Sequence, residues 1–209
     1  ISGFGQSGPL AGRPGFDQIA QGMGGLMSIT GKPGEGPMRV GIPIADLTAG
    51  IFCAQGILLA VIERERTGKG QWVQTSLLQA QVFMLDFQAT RWLMDKEVPP
   101  QAGNDHPTSM PTSAYKTRDG YLNIGASGEG MWKRLCSAFE RPDLYEREAF
   151  KGEANRAKNR SELNDEINKI TVSRTTAEWI ELLNKAGVPS GPVYTLDQVF
   201  ADPQVKHIK

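Results

Sequence analysis

The carboxylate of Asp46 is the side chain in this sequence best placed to do chemistry. It lies in the segment Gly-Ile-Pro-Ile-Ala-Asp-Leu-Thr-Ala-Gly at residues 41–50, just before a long apolar run of helix-forming residues. We therefore predict that Asp46 is the N-cap of a helix, where unpaired backbone N–H groups and the helix dipole keep a carboxylate ionised and oriented. A carboxylate held in this way can act as a nucleophile. It can equally be an ordinary N-cap, and the local spacing alone favours that simpler interpretation.

The apolar run after Asp46 predicts a helix over residues 47–66, with Gly68 beyond its end as a stop signal. A short strand over 72–77 and a second helix over 78–94 follow it. This helix–strand–helix order is typical of an α/β layer. The apolar face of the first helix consists of residues at helical spacing: Ile51, Ala54, Leu58 and Ile62.

The chain changes character after residue 94. A stretch rich in turn-forming residues at 98–111 predicts a domain boundary or a functional loop. Beyond it we predict a hairpin with strands at 114–117 and 121–124, and an extended connector at 187–192. The remaining periodic segments predict helices over 129–139, 161–172, 176–186 and 195–201, the third of them capped by Thr176.

These elements predict a small α+β unit with an aromatic core. Trp132, Phe139 and Trp179 lie at helical spacing and are expected to pack inside it. The charged run from Arg156 to Arg160 is expected to be a solvated helix start. No aromatic residues interleave that run, so it does not resemble a nucleic-acid patch.

The bulk composition narrows the function classes. The chain has 209 residues and 39% hydrophobic content, and its 23 Lys and Arg balance its 23 Asp and Glu, so no global field recruits nucleic acid or an anionic membrane. No apolar run reaches the roughly 18–20 residues of a membrane span, and the 47–66 helix is expected to be buried. Cys53 and Cys136 fall in helical apolar patterns, which favours buried thiols in the reducing cytoplasm. Neither the cysteines nor the histidines have metal-ligand spacing.

Residues 1–45 are rich in glycine, which lets backbone approach a ligand or another backbone segment closely. The Gly-Phe-Gly-Gln-Ser-Gly run at 3–8 is only superficially like a phosphate loop, because no clear strand precedes it and Pro9 replaces the expected helix start. Gln6 in this run could contact a ligand or merely close a turn.

Several motifs occur together in one order along the chain. They resemble those of the class III CoA-transferases, also called the CaiB/BaiF family, from one end of the chain to the other. The motifs are Gly-Phe-Gly-Gln-Ser-Gly-Pro at 3–9, Gly-Phe-Asp at 15–17, Asp-Leu-Thr-Ala-Gly at 46–50, Arg-Thr-Gly-Lys-Gly-Gln at 66–71, Tyr-Lys-Thr-Arg-Asp-Gly at 115–120, Gly-Val-Pro-Ser-Gly-Pro at 187–192 and Asp-Pro-Gln-Val at 202–205.

The resemblance implies a fold in which a large doubly wound (Rossmann-like) α/β domain, formed from both chain ends, accompanies a smaller α+β domain. It also implies two chains interlocked as a homodimer, and about half of a typical member in this sequence. We accordingly expect residues 1–90 to be part of the large CoA-binding domain and 91–112 to be a linker with an active-site loop. Residues 113–187 would form the small domain, and 188–209 would lead back to the large one.

The resemblance also implies a reaction. In the family the aspartate at the position of Asp46 attacks an acyl-CoA thioester, giving a mixed anhydride and then an enzyme-bound CoA thioester. CoA passes from that thioester to a carboxylic acid. The expected ligands are thus acyl-CoA and a carboxylic acid as substrates, with no tightly bound cofactor. Backbone N–H groups of the glycine-rich segments would stabilise the developing oxyanion.

Phe16 distinguishes CoA transfer from a related activity, the racemisation of an acyl-CoA. The α-methylacyl-CoA racemases resemble this segment but have a proton-transferring histidine at this position, and Phe cannot move a proton. Racemisation of an acyl-CoA is the alternative function, and the absence of a histidine at position 16 favours the transferase over it. In a transferase Phe16 would be an apolar wall near the thioester or a core aromatic. Asp17 could hydrogen-bond near the nucleophile or cap a helix over 18–22, with the cap slightly favoured, and Arg13 could meet a CoA phosphate or face solvent.

His106 and Asn104 lie in the loop where oxalate-linked members carry a run of glycines that closes over the active site. That run is absent here, so both residues are candidates for contact with the acceptor acid, or parts of a plain turn. A non-catalytic alternative is that this chain alone is a folding or dimerisation piece that binds nothing.

Overall fold

The computed structural model describes residues 1–208. The chain divides into two compact units, Ile1–Gly103 and a second that begins at Asn104. The predicted domain and linker boundaries are finer than this division and stay predictions.

The first unit is helical. Its helices are α1 (Asp17–Met23), α2 (Leu26–Ile29), α3 (Ile44–Thr67), α4 (Leu77–Phe83) and α5 (Phe87–Asp95). The predicted helix 47–66 is confirmed as α3, which begins earlier because Pro43, with its fixed φ, serves as the N-cap. Gly68 ends α3 in the left-handed conformation at φ 71°, as its stop-signal role predicts.

The predicted strand at 72–77 is wrong. Only Ser76 makes a β-bridge, and its partner is Ser2. The Ser2 N–H donates to the Thr75 carbonyl at 3.1 Å, and the Leu77 N–H donates to the Ser2 carbonyl at 2.9 Å. A strand needs a partner along its length, and within residues 1–208 this segment pairs at that one position. The Ser76 hydroxyl instead accepts the Gln79 N–H and caps α4.

The predicted single helix 78–94 is two helices. A turn separates α4 from α5, and Asp86 at the start of α5 has a positive φ of 48°, which a continuous helix does not permit. The apolar periodicity continues through the turn, so the sequence pattern gave no sign of the break.

Small residues form the core of the first unit. Ala20, Ala45, Ala49, Leu77 and Ala80 are buried where α1, α3 and α4 pack together. We call this contact the alanine seam. Small side chains there let the three helices approach closely, so the α3 backbone lies near α1 and α4.

The expectation that α3 is buried is wrong for the described residues. The alanine seam covers one side of α3, Phe52 meets the Phe83 ring beside it, and Gly56 lies against Val73, whereas many of the other apolar side chains of α3 are exposed in residues 1–208. By length and composition alone this helix could also cross a membrane, a test that a core helix of a soluble protein passes too. The most exposed apolar side chains of α3 are Ile51, Leu58, Leu59 and Ile62.

The second unit is built on a three-stranded antiparallel sheet in the order β1-β2-β3. Its strands are β1 (Thr112–Lys116), β2 (Tyr121–Gly125) and β3 (Ser190–Pro192). The predicted hairpin is confirmed, with Ala114 opposite Asn123. The predicted connector at 187–192 is wrong in its last part, because Asn123 also pairs with Gly191 and the segment becomes an edge strand.

Seven α-helices and one 3₁₀ turn accompany the sheet in the described part of the chain. The four predicted helices are confirmed, although the cap of α10 is Thr175, which forms a capping box with Glu178, and not Thr176. The short helices that begin at Pro142, Gly152 and Pro203 were not predicted. The helices are α6 (Glu129–Ala138), α7 (Pro142–Glu146), α8 (Gly152–Lys158), α9 (Arg160–Thr171), α10 (Thr176–Lys185), α11 (Leu196–Ala201) and α12 (Pro203–His207), with the 3₁₀ turn at Glu148–Phe150.

The predicted aromatic core of the second unit is confirmed. Trp132, Phe139 and Trp179 are buried in one apolar cluster, and the rings of Phe139 and Trp179 meet edge to face at 5.2 Å. This cluster is larger and more apolar than the alanine seam of the first unit.

Arg156 was expected to be solvated and is fully buried. Its Nε donates to the Met110 carbonyl at 3.1 Å, and one terminal nitrogen donates to the Phe150 carbonyl at 3.1 Å and to the Glu129 carboxylate at 2.7 Å. The guanidinium is buried because these acceptors replace water on several of its N–H groups. The charged residues that follow it in the sequence do not indicate this burial.

Cys136 should be chemically inert in the folded protein. Burial raises the pKa of its thiol to about 12. At about pH 8 roughly one such thiol in 10,000 would be ionised, and only the thiolate reacts with iodoacetamide. We expect Cys136 to stay unmodified in the native protein and to be alkylated within minutes in concentrated guanidinium chloride, with peptide mass spectrometry as the readout. Rapid native modification would contradict the packing around α6.

Candidate active site

Asp17 and Asp46 come together where α1 meets the start of α3. Asp46 is the third residue of α3 and lies in its first turn, so the prediction that it is the N-cap is wrong. Pro43 occupies the N-cap and has no side-chain acceptor. The carboxylate of Asp17 supplies the missing acceptor, because its Oδ1 takes the N–H of Ala45 at 2.8 Å. Asp17 therefore caps α3 from another helix.

This contact decides between the two interpretations of Asp17. It is the first residue of α1, whose N-cap is Phe16 and has no side-chain cap. The interpretation of Asp17 as a cap of its own helix is wrong. The interpretation that Asp17 hydrogen-bonds beside Asp46 is the one the geometry supports, since Ala45 precedes Asp46 directly. Asp17 is buried, so water competes little for this hydrogen bond.

Gln21 completes this arrangement and was not singled out from the sequence. Its side-chain amide donates to Asp17 Oδ2 at 2.6 Å, and its Oε1 accepts the Val40 N–H at 3.0 Å. The same amide nitrogen lies 3.3 Å from the Ile42 carbonyl. Gln21 is fully buried, one helical turn after Asp17. That i,i+4 spacing on one helix face was the available signal.

The carboxylate of Asp46 itself is exposed. Within residues 1–208 no hydrogen bond or ion pair of this carboxylate is found, so it is not neutralised by a neighbouring cation. The geometry thus gives a fixed backbone, an anionic side chain and open access for a substrate.

The glycine-rich segment brings two backbone stretches into contact. A Cβ placed on Gly3 would lie 2.7 Å from Gly15 Cα, so only glycine fits at this approach. Phe16 follows Gly15 and is 77% exposed, so its interpretation as a core aromatic is wrong for the described residues. Arg13 is also exposed and forms no ion pair within residues 1–208.

Gln6 borders a small polar groove. The groove has a volume of about 120 Å³, and it lies between the glycine-rich segment and the start of α4. Its other polar lining residues are Ser7, Gln74, Thr75 and Gln79. A ligand contact for Gln6 stays a prediction, as do the substrate roles of Arg13 and Phe16.

His106 and Asn104 lie in the second unit. The Nδ1 atom of His106 accepts the N–H groups of Ser109 at 3.1 Å and Thr108 at 3.3 Å, which closes a turn and places the ring proton on Nε2. Asn104 is exposed and borders a groove of about 440 Å³ together with Ser113 and Asn123. This geometry supports the turn interpretation of His106 and leaves Asn104 accessible. Contacts of either residue with an acid stay predictions.

Cross-links fix the loop that carries these residues. Asn164 donates to the Asp105 carboxylate at 3.0 Å and accepts from the Tyr115 hydroxyl at 3.0 Å. Arg160 donates to the Pro107 carbonyl at 2.8 Å. Burial raises the pKa of Tyr115, and the nearby Asp105 raises it further, so this phenol stays a neutral donor. Among the described residues no group of three His, Cys, Asp or Glu side chains could hold a metal ion.

Comparison with known proteins places the chain in a family. The family model described as CoA-transferase family III matches residues 1–209. The chain belongs to CoA-transferase family III. This confirms the resemblance drawn from the motifs.

Relatives and solved structures agree with the family III assignment. The chain is 34% identical over 207 residues to the succinyl-CoA:glutarate CoA-transferase of Homo sapiens, covering 99% of this chain and 47% of that protein. It is 38% identical over 194 residues to the succinyl-CoA:mesaconate CoA-transferase of Haloarcula marismortui, covering 93% and 48%. A crystal structure of a CaiB/BaiF family protein from Brucella suis matches with a TM-score of 0.87 and 36% identity, covering 99% of this chain and 55% of that one.

These matches confirm the predicted fold class, a mixed α/β chain that forms part of the class III CoA-transferase fold. The chain spans about half the length of the curated relatives it matches. The doubly wound sheet is not formed by residues 1–103 alone, where the β-pairing found is the bridge between Ser2 and Ser76.

Replacement of Asp17 tests the capping of α3 in this family III chain. Asp17→Ala removes the acceptor for the Ala45 N–H and the partner of Gln21, and it should lower the free energy of unfolding by about 1–3 kcal/mol. Urea denaturation followed by circular dichroism would measure the loss. Asp95→Ala, at an exposed position in α5, is the matched control and should change stability little. Equal midpoints for the two variants would contradict the cap.

Proposed function

We propose that the protein is a CoA-transferase that moves CoA from an acyl-CoA donor to a carboxylic acid through a covalent thioester on Asp46. Membership in family III and relatives named as CoA-transferases support the transfer of CoA. The observation that carries the role of Asp46 is its place in the first turn of α3, exposed and without a neutralising partner in residues 1–208.

The proposed reaction balances without water or a redox partner. An Asp46 carboxylate oxygen attacks the donor thioester carbonyl, the C–S bond breaks, and CoA leaves as a thiolate from a mixed anhydride. The thiolate then attacks the Asp46 side of that anhydride, which releases the donor acid and leaves an aspartyl-CoA thioester. The acceptor carboxylate then attacks the aspartyl-CoA thioester, which gives a second mixed anhydride and releases the CoA thiolate. The thiolate attacks the acceptor side of this anhydride. Asp46 is regenerated, and the acceptor leaves as its CoA thioester.

The local physics suits these steps. A carboxylate is a weak nucleophile in water, so the site must orient it and exclude competing solvent. The capped start of α3 supplies the orientation, because Asp17 fixes the backbone next to Asp46. Backbone N–H groups near the tetrahedral oxyanion would each contribute on the order of 3 kcal/mol. The glycine-rich segment is the proposed source of such donors.

The racemase alternative receives no support. It would need proton-transferring groups on both sides of the substrate α-carbon, and Phe16 cannot hold a proton. The relatives compared above are named as transferases. Several of the named relatives use succinyl-CoA, so we propose succinyl-CoA as the first donor to test and a dicarboxylic acid as the acceptor class. Gln6, Arg13, Phe16, Asn104 and His106 are the proposed substrate contacts.

We further propose that the working protein is a cytoplasmic homodimer that binds neither nucleic acid nor membrane. The exposed apolar side of α3 supports a protein partner, because such a surface is unstable in water unless it is covered. The balanced charge argues against a nucleic-acid partner. Light scattering of the full-length protein in detergent-free buffer should give a dimer mass, and a requirement for detergent would contradict this proposal.

Covalent trapping tests the role of Asp46. The full-length protein is incubated with succinyl-CoA and other acyl-CoAs, quenched, and examined by intact-protein and peptide mass spectrometry with and without hydroxylamine. We expect a CoA adduct on Asp46 that hydroxylamine converts to a hydroxamate. Asp46→Asn keeps the shape of the side chain but removes its charge, and it should lose the adduct and at least about 10³-fold of the transfer rate.

Asp95→Asn serves as the matched control, because Asp95 is exposed at the end of α5 and has no part in the proposed site. It should retain normal turnover. An Asp46→Asn protein with wild-type turnover would rule out the covalent mechanism. Absence of any adduct together with deuterium exchange at the α-carbon of an acyl-CoA would favour the racemase alternative instead.

A further inference from the structure

The buried side chain of Gln21 connects two separate segments of the first unit. A buried glutamine needs partners for both ends of its amide, and Gln21 finds them on two different segments. Its nitrogen holds Asp17 Oδ2 on α1, and its oxygen holds the Val40 N–H on the segment that leads into α3. The amide nitrogen also approaches the Ile42 carbonyl of that segment.

The segment from residue 39 to residue 43 has few other restraints. Gly41 adds backbone freedom, and a Cβ placed on it would have no neighbouring atom within 4 Å. Most of these residues are exposed. Arg39 reaches Asp17 Oδ2 only at 3.8 Å, and its side chain is partly exposed, so water weakens that ion pair. Gln21 is consequently the buried tether between this segment and α1.

The tether determines the direction of the Asp17 carboxylate. Because Gln21 occupies Oδ2, the other oxygen, Oδ1, is directed at the Ala45 N–H. Ala45 lies in the tightly packed alanine seam, and Asp46 follows it in the same helical turn. A shift of the Asp17 carboxylate or of the lead-in segment would therefore move the first turn of α3.

We propose that Gln21 is a positioning residue for Asp46, acting through Asp17 and through the segment that enters α3. This proposal rests on the proposed function, in which Asp46 is the nucleophile. Gln21 contacts Asp17 and backbone groups in the structure and is given no contact with substrate. Its effect falls on how often the Asp46 carboxylate is aimed correctly at the thioester, and not on how tightly acyl-CoA binds.

The first variant is Gln21→Met, which keeps the length of the side chain and removes all three of its hydrogen bonds. We expect the rate of adduct formation on Asp46, measured by rapid quench and mass spectrometry at saturating succinyl-CoA, to fall about 10- to 100-fold. The KM for succinyl-CoA should change less than about threefold. Gln18→Met, at an exposed position of the same helix, is the matched control and should leave both quantities unchanged.

Gln21→Glu supplies a readout that a merely structural role would not move. A glutamate at this position accepts from Val40 but, when ionised, cannot donate to Asp17 and repels it. The charged group that it contacts is the Asp17 carboxylate on α1, and the Arg39 guanidinium on the lead-in segment reaches the same Asp17 oxygen at 3.8 Å. The nearby carboxylate of Asp17 raises the pKa of the new glutamate, and protonation restores a donor.

We therefore expect the ratio of the Gln21→Glu rate to the wild-type rate, taken at each pH, to rise at least about fivefold between about pH 8 and about pH 5.5. The Gln21→Met ratio should stay flat over the same range. A flat ratio for Gln21→Glu, or a Gln21→Met protein that forms the adduct at the wild-type rate, would overturn the proposal.

Failure of this proposal is distinguishable from failure of the proposed function. If the wild-type protein forms no adduct on Asp46, the proposed function is wrong, and the positioning role of Gln21 is overturned with it. If the wild-type adduct forms and Gln21→Met matches it in rate, only the positioning role is wrong. If Gln21→Met instead lowers Tm and raises KM without changing the adduct rate, Gln21 serves the fold alone, and the positioning role is again overturned.

Discussion

The hydrogen bond from the Ala45 N–H to Asp17 is the contact on which the site depends. Helix α3 begins after a proline that offers no side-chain cap, so the first turn needs an acceptor from elsewhere. Asp17 provides it from a buried position on α1. The proposed nucleophile, Asp46, occupies the next position along the chain. The backbone next to one carboxylate is thus held by another carboxylate on a different helix.

The packing of the first unit follows from this requirement. Asp17 reaches α3 only because α1 and α3 lie close together, and the alanine seam permits that distance. The seam contributes little apolar area, since its members are small, so polar contacts take a larger share of the stabilisation than they do in the aromatic core of the second unit. Local order at the start of α3 therefore depends on a few hydrogen bonds, and each of them is buried enough to be effective.

The sequence predicted regular, locally determined elements well and long-range contacts poorly. Helix α3, the hairpin and the four main helices of the second unit follow from periodicity and turn residues, which act within a few positions. The errors share a cause. The strand at 72–77 needed a partner strand, the cap of α3 came from Asp17 on another helix, and Arg156 found its acceptors on residues far away in the chain. None of these three contacts can be inferred from the local spacing of residues. Asp46 could be singled out because its motif is local, whereas the buried contacts of Gln21 depend on which segment packs against α1.

The buried guanidinium of Arg156 has a consequence for redesign of the second unit. Its Nε donates to a loop carbonyl, and one terminal nitrogen donates to both a 3₁₀-turn carbonyl and a helix carboxylate. A planar fork can satisfy such a set, but the single ammonium of a lysine cannot. Mutational scans of this unit should therefore find position 156 intolerant even of a charge-preserving exchange. The exposed arginines and lysines nearby should accept almost any polar replacement. Profiles of charge or hydrophobicity along the sequence do not distinguish position 156 from the exposed arginines and lysines. The property that a designer must preserve is the set of hydrogen bonds that the buried guanidinium donates.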